Sequence, residues 1–161
     1  MKVSVLALAV ATLALAGCGQ NSSSSGQASA PATPVQPTPD QVKTLLAALP
    51  APYNAGDPVA GKSLFTQCAA CHTTVEGGPN LTGPNLYGIF GRKAGSVDGF
   101  AYSDALKAAG WTWDAARIDT WITNPHAVLA TTKMSFVGMK DPTDRTNLIA
   151  YLKTATSPLP K

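Results

Sequence analysis

The sequence predicts an all-α domain with unusually long loops, and three observations lead to this fold class. No stretch alternates apolar and polar residues for long enough to form a strand. Asp-Pro pairs at 57–58 and 141–142 signal helix starts, because Asp caps the first turn and Pro suits the first helical position. Residues 68–101 are rich in Gly, Pro and Asn, and so long a loop is typical of a functional wrap.

The elements can be justified in chain order from these signals. A helix follows Asp57, with Gly61 and Phe65 one turn apart on the same face. The later signals predict a short helix from Ser103 to Gly110, one from Thr112 or Trp113 to Asn124-Pro125, a loop over 126–140, and a last helix from Asp141-Pro142 to about Ala155. Residues 41–49 could form a further short helix, giving four to five in all.

The composition of the chain excludes several classes of protein. The 161 residues allow one domain and a tail, and 45% hydrophobic against 13% charged residues excludes disorder of the whole chain. A formal charge of +3, from 12 basic and 9 acidic side chains, is too small and too evenly spread to favour nucleic-acid binding. Three cysteines are too few for a dense disulfide framework.

The first residues predict export and lipid attachment. Lys2 precedes an uncharged apolar run over 3–16, as in a secretory signal. The following Leu15-Ala16-Gly17-Cys18 resembles the lipobox of bacterial lipoproteins, in which the Cys18 thiol is acylated and becomes the new N-terminus. We therefore expect a signal peptide over 1–17 and a protein lipid-anchored on the periplasmic side of the bacterial cell envelope, in either membrane.

A composition shift predicts the remaining domain boundaries. Ser and Gly followed by Pro dominate residues 19–40, and such a sequence is a linker that is flexible and then semi-rigid. We expect the lipidated Cys18 and its Ser/Pro-rich tether to occupy 18–54 and the folded domain to occupy 55–161.

The chemistry-bearing motif is Cys68-Ala69-Ala70-Cys71-His72. This C-x-x-C-H spacing is the attachment signature of c-type haem, since both thiols can reach the two vinyl groups of one porphyrin and His72 is then an axial iron ligand. A redox dithiol would need a βαβ setting, and zinc would need two more ligands. A plain disulfide between the two cysteines would leave His72 unexplained. His126, Met134 and Met139 are available as the second iron ligand, while Lys133 and Lys140 are poorer candidates because they must lose a proton to bind.

Further segments extend the pattern across residues 57 to about 156. They are Thr82–Lys93, Gly99–Ser103, Trp113, Asn124-Pro125, Thr132–Phe136 and Leu148–Lys153. Together with the motif they resemble the class I c-type cytochromes, close to the mitochondrial and α-proteobacterial soluble type. The resemblance implies the cytochrome c fold, with short helices and long loops around one covalent haem c.

The resemblance also implies roles for individual residues. Cys68 and Cys71 match the thioether positions, and His72 and Met134 match the axial ligands, which leaves Met139 as a packing residue. Pro84 matches the carbonyl that accepts the His72 Nδ1–H. The family positions that bind or neutralise the haem propionates correspond to Arg92, Tyr102, Trp113 and Thr132. Phe136 corresponds to the position that covers the haem on the side of the Met ligand. Trp121 stands where the family usually has Tyr, which puts the hydrogen bond to the Met ligand in doubt.

These patterns imply a membrane-tethered mono-haem electron carrier of a respiratory or photosynthetic chain, and not an enzyme. A quinol-oxidising complex or a dehydrogenase would be its donor, and a terminal oxidase or a reaction centre its acceptor. Contact with the membrane would be through the lipid anchor, nucleic acid would not be a partner, and the protein would be a monomer. The alternatives are a haem sensor or peroxidase-like protein with an open iron site, and a dedicated cytochrome subunit of one oxidoreductase complex.

Overall fold

The computed structural model describes residues 36–161 and places seven α-helices there. These are α1 (Pro39–Ala47), α2 (Pro58–Leu64), α3 (Thr66–Ala69), α4 (Asp104–Lys107), α5 (Ala115–Thr123), α6 (Pro125–Val128) and α7 (Pro142–Thr156), with a 3-10 turn at Tyr53–Ala55. Within this range the only β pairing is one isolated bridge between Lys93 and Thr112, so the all-α prediction is confirmed. The predicted signal peptide, Cys18 and the linker up to residue 35 lie outside the described residues.

The helix count exceeds the four to five expected. The additional α3 and α6 are single turns of four residues, too short for apolar periodicity to reveal. Residues 126–128, predicted as loop, instead belong to α6 because the Asn124 side chain accepts a hydrogen bond from Ala127 N and Pro125 occupies the first position. Between residues 36 and 161, no helix combines the length and the apolar character that crossing a bilayer requires.

The Asp-Pro signals are confirmed as helix starts. The Asp57 carboxylate accepts hydrogen bonds from Val59 N at 2.7 Å and Ala60 N at 3.2 Å. Asp141 likewise caps α7 through two backbone N–H groups at 2.8 and 2.9 Å. In both helices the proline follows directly at the first position, where its missing N–H costs nothing.

Helix α5 begins later than expected. Its cap is Asp114, whose carboxylate accepts a hydrogen bond from Arg117 N at 2.7 Å. Thr112 is instead held in extended backbone by its bridge to Lys93, and Trp113 N donates to Arg92 O at 2.8 Å. The predicted start at Thr112 or Trp113 is therefore wrong, because tertiary pairing takes these residues out of the helix.

Helix α7 is covered on several sides. Its contacts are with α2, α5 and α1, and three successive residues, Leu148, Ile149 and Ala150, are 1% exposed or less. Successive helical residues point in different directions, so burial of all three requires neighbours around much of the helix. The closest crossing is with α2, where Gly61 lies directly against the backbone of Asn147.

Helix α1 packs onto this arrangement. A capping box joins Thr38 and Gln41, and the Gln41 Nε2 also donates to Pro160 O at 2.9 Å. Leu45 and Leu49 are each only 6% exposed, and α1 contacts α7 and the turn at Tyr53–Ala55. The sequence predicted that the folded domain begins at residue 55. The structure shows that it begins well before this residue, because Leu45 and Leu49, predicted to belong to the tether, are buried and α1 packs against α7.

We expect Leu45→Ala to lower the free energy of unfolding by about 2 to 3 kcal/mol, since it leaves a cavity beneath α1. Urea denaturation followed by far-ultraviolet circular dichroism measures this. Lys43→Ala, an exposed change on the same helix, is the control and should have almost no effect. Equal stability of the Leu45 variant and the parent would contradict the docking of α1.

Candidate functional site

The C-x-x-C-H motif lies where α3 ends. Its backbone continues as a helical turn, with Cys71 N and His72 N both donating to Cys68 O at 3.0 and 2.9 Å. The two cysteines are half-buried and are not joined in a disulfide. Burial raises the pKa of the Cys68 thiol to about 11, and the Cys71 sulfur adds a smaller effect. The Cys68 thiol is therefore neutral at physiological pH.

The His72 ring is fixed from two directions. Its Nδ1 lies 2.7 Å from Pro84 O, and since a carbonyl only accepts, Nδ1 carries the proton and Nε2 keeps a free lone pair. Burial lowers the pKa of His72, an effect that the Pro84 hydrogen bond opposes and the Arg92 charge supports. The ring therefore presents a neutral nitrogen donor, the form that binds metals.

Gly83 provides the space for this ring. A Cβ at this position would come within 2.3 Å of the His72 Cε1, so only glycine lets the loop pass so closely. Sequence analysis did not single out Gly83; its place directly before Pro84, in the loop that returns to the motif, was the available signal.

Both cysteines and His72 line one cavity of about 310 Å³. Its walls are mainly apolar, and loops and helices from most of the domain contribute to them. The other predicted site residues that line this cavity are Pro84, Arg92, Tyr102, Trp113, Thr132, Met134 and Phe136. Three core leucines, Leu106, Leu148 and Leu152, complete this part of the wall. Cys18, the remaining predicted residue, lies outside the described residues. An apolar cavity with a few polar groups is the usual form of a cofactor site.

Met134 brings a thioether to this cavity and is held there by two hydrogen bonds. Trp121 Nε1 donates to Met134 Sδ at 3.1 Å, and the backbone N of Met134 donates to Thr132 Oγ1 at 3.2 Å. The indole N–H of Trp121 therefore reaches the Met134 sulfur, although its geometry differs from that of a phenol. The position of Trp121 in the last turn of α5 brings its indole within reach of the sulfur.

Met139 and His126, the other thioether and the other imidazole that could bind the iron, lie outside the cavity. Met139 is buried in the core, 7% exposed, with its backbone N bound to Ile122 O at 2.8 Å. His126 is exposed on α6, and its nearest ring contact is a long one of 3.5 Å between Nδ1 and Ala130 O. Neither residue lines the cavity.

Polar groups line the cavity beside its apolar walls. Arg92 donates to Tyr87 O at 2.8 Å and to Asn85 O at 3.0 Å, so backbone carbonyls hold its guanidinium in place. Burial lowers the pKa of Arg92 and raises that of Tyr102, while each residue partly offsets the shift of the other. Thr132 is also buried and lines the same cavity, and the indole of Trp113 meets that of Trp121 edge to face. A cationic side chain and hydroxyls thus line the same cavity.

The rival interpretations of the cysteines have no structural counterpart in residues 36–161. This range contains no βαβ unit for a redox dithiol and no group of three His, Cys, Asp or Glu side chains that could hold zinc. In contrast, two thiols, one neutral imidazole and one thioether line a single apolar cavity. This donor set fits a covalently bound haem, whose iron accepts imidazole and thioether ligands.

Comparison with known proteins identifies a family and several relatives. The family model for cytochrome c matches residues 58–156. Cytochrome c2 of Rhodomicrobium vannielii is 49% identical over 102 residues, covering 63% of this chain and 82% of the relative. Cytochrome c2 of Rhodoblastus acidophilus is 50% identical over 98 residues (61% and 92%), and cytochrome c of Stellaria longipes is 46% identical over 105 residues (65% and 97%).

The match spans more than half of the chain, including the motif, the Met134 loop and the helices that form the cavity. The fold class, the cofactor and the non-enzymatic function expected from the sequence are all consistent with it. The chain therefore belongs to the cytochrome c family and is a mono-haem c-type electron carrier, in which one haem c is covalently attached.

Proposed function

We propose that Cys68 and Cys71 form the haem thioethers and that His72 and Met134 are the axial ligands of the iron. One observation carries this proposal: all four side chains line the same cavity, and His72 Nε2 is free while Nδ1 is bound to Pro84. The bound haem supplies a one-electron couple, and a Met–His ligand pair favours its reduced state more than two histidines do.

The remaining predicted residues have supporting roles. Arg92, Tyr102, Trp113 and Thr132 bind or neutralise the propionates, whose burial without donors would cost several kcal/mol. Phe136 covers the Met134 side and limits water entry. Because backbone and side-chain hydrogen bonds hold His72, Arg92 and Met134 in place, the protein reorganises little when an electron arrives.

Trp121 acts through Met134 as a positioning residue. We expect Trp121→Phe to lower the reduction potential, because its N–H withdraws electron density from the sulfur that stabilises reduced iron. One hydrogen bond is worth about 1 kcal/mol, so the one-electron potential should fall by up to about 40 mV. Spectroelectrochemistry measures the change, and a retained far-red Met–iron band shows that ligation is intact. An unchanged or raised potential contradicts this role.

We further propose that the domain is tethered to the membrane through an acylated Cys18, on the periplasmic side of a bacterial envelope. The Ser/Pro-rich composition supports a spacer, and the docking of α1 means that this spacer ends near Thr38. Several acyl chains bind a membrane far more firmly than one. The tether raises the effective concentration of the carrier near membrane complexes.

The partners proposed are a quinol-oxidising complex or dehydrogenase as donor and a terminal oxidase or reaction centre as acceptor. The formal charge of +3 gives only modest electrostatic steering. The exposed Lys133 and Lys140 keep their charge at the surface, where Lys133 Nζ donates to Ala101 O at 2.7 Å and Lys140 Nζ to Thr123 O at 3.2 Å. Exposed Val137, three residues from Met134, offers an apolar contact. We therefore propose weak docking of a monomer, with a modest dependence on salt.

The visible spectrum of the protein produced with haem-attachment machinery tests the haem assignment. A low-spin reduced spectrum, a far-red band when oxidised and no change on adding CO are expected. A high-spin ferrous form that binds CO would overturn the ligand assignment and favour a sensor or peroxidase-like protein.

Fractionation of cells tests the tether. The parent should remain with membranes after a salt wash, whereas Cys18→Ser should be released. Release of both proteins, or retention of both, would contradict anchoring through Cys18. Purification with one enzyme at fixed stoichiometry would instead indicate a dedicated subunit.

A further inference from the structure

Three tryptophan side chains form a continuous line of contacts that ends at Met134. The rings of Trp111 and Trp113 meet edge to face with centroids 5.9 Å apart, and those of Trp113 and Trp121 with centroids 5.5 Å apart. Trp121 Nε1 then donates to Met134 Sδ at 3.1 Å. The line thus connects the proposed iron ligand to Trp111, which is partly exposed.

The backbone fixes the spacing of these rings. Gly91 N donates to Trp113 O at 2.7 Å, Trp113 N to Arg92 O at 2.8 Å, and Ala94 N to Trp111 O at 2.9 Å. Trp121 is held on the buried face of α5. The ring contacts therefore belong to the rigid part of the fold.

Trp111 is not explained by packing around the cavity. Trp113 and Trp121 line the cavity, whereas Trp111 does not. Its Nε1–H is buried and finds no acceptor among residues 36–161, which costs free energy that an aliphatic side chain of similar size would avoid. The Arg117 guanidinium lies over its ring, 4.8 Å from the centroid.

These features bear on how the ring would exchange an electron and in which direction the charge would move. Electron transfer slows steeply with distance, so indoles in contact replace one long step by several short ones. Since no acceptor faces the Trp111 Nε1–H, an oxidised ring keeps its proton and only an electron moves. The Arg117 charge makes a radical cation less favourable on Trp111 than on Trp113. The positive charge therefore passes from Trp111 to Trp113, towards the cavity, while the electron passes from Trp113 to Trp111, towards the surface.

We propose that Trp121, Trp113 and Trp111 form a second electron exit, which leads from the haem site to the surface around Arg117. The exit rests on the proposed function, because it begins at Met134 as an iron ligand. It serves a one-electron acceptor that is strong enough to oxidise an indole.

The electron balance of this exit is simple. The acceptor takes one electron from Trp111, which is refilled from Trp113, and Trp113 is refilled from Trp121. Trp121 would in turn be refilled with one electron that a reduced haem held in the cavity would supply. One electron leaves in total, no proton moves, and all three indoles end neutral and unchanged.

A ruthenium–polypyridyl photo-oxidant attached at Ala116→Cys tests the exit. Ala116 is exposed beside Arg117, and Cys18→Ser in the same full-length chain leaves one thiol for the label. After a flash, transient absorption follows oxidation of the reduced haem and the tryptophan radical cation. Trp111→Phe keeps an aromatic ring that is much harder to oxidise. It should abolish the radical signal and slow haem oxidation by about tenfold or more, equivalent to about 1.4 kcal/mol on the barrier.

The control carries the same label at Val59→Cys, which is exposed on α2. There, Trp111→Phe should leave the rate unchanged. An unchanged rate from the Ala116 label, or equal slowing from both labels, would overturn the exit. The spectrum of the unlabelled protein is recorded first: loss of the six-coordinate form would be a failure of the proposed function, whereas an intact spectrum with unchanged rates would be a failure of the exit alone.

Discussion

Met134→Ala should open the iron site completely. The variant should lose the far-red Met–iron band, and its reduced form should bind CO, which the parent does not. The physical reason is that the other thioether and the other imidazole lie away from the cavity: Met139 is buried in the core, and His126 is exposed on α6. Lys133 does line the cavity, but its ammonium group must lose a proton before it can bind the iron, so it is a poor substitute near neutral pH. Absorption spectra of both oxidation states, with and without CO, measure the change.

Met139→Ala is the matched control for this prediction. Met139 is the more buried methionine, so its truncation should lower the free energy of unfolding by about 2 to 5 kcal/mol. It should nevertheless leave the Met–iron band and the resistance to CO intact. CO binding by the Met139 variant but not by the Met134 variant would reverse the ligand assignment.

Gly61→Ala should produce the largest loss of stability of any single methyl addition in α2. A Cβ at this position would come within 2.0 Å of Asn147 O and 2.7 Å of the Tyr151 Cβ. The Asn147 oxygen belongs to the backbone of α7 and cannot move aside alone, so the two helices must separate. We expect a loss of about 3 kcal/mol, measured by urea denaturation of the haem-containing protein.

Val59→Ala on the same helix is the control for Gly61. Val59 is 75% exposed, and alanine is the better helix former, so stability should be unchanged or slightly higher. A Gly61 variant as stable as the parent would mean that α2 and α7 do not cross as closely as described.

Local chemistry made much of this fold predictable. The caps at Asp57, Ser103 and Asp141 follow from side-chain acceptors that bind N–H groups only two or three residues away. Prediction was poorer where distant pairing competed, as at Thr112, whose bridge to Lys93 delays the start of α5. The short α3 and α6 were missed because a single turn carries no periodicity.

For the candidate site, too, local features were predictable from the sequence, whereas contacts between distant segments were not. The spacing of Cys68, Cys71 and His72 is local, so the sequence alone indicates haem attachment. Whether α1 docks on the domain does not follow from the sequence, because Leu45 and Leu49 can be buried only by elements that lie far along the chain.

By itself, the sequence determined the starts of α2, α4 and α7, the haem-binding motif and the family, because each depends on residues within a few positions or on a matched pattern. Tertiary structure alone decided that α1 covers α7, that Trp121 reaches the Met134 sulfur, and that three indoles meet in one line. These contacts depend on the relative placement of whole helices and loops. That placement is set by packing of the entire core and not by the conformational preferences of any one segment.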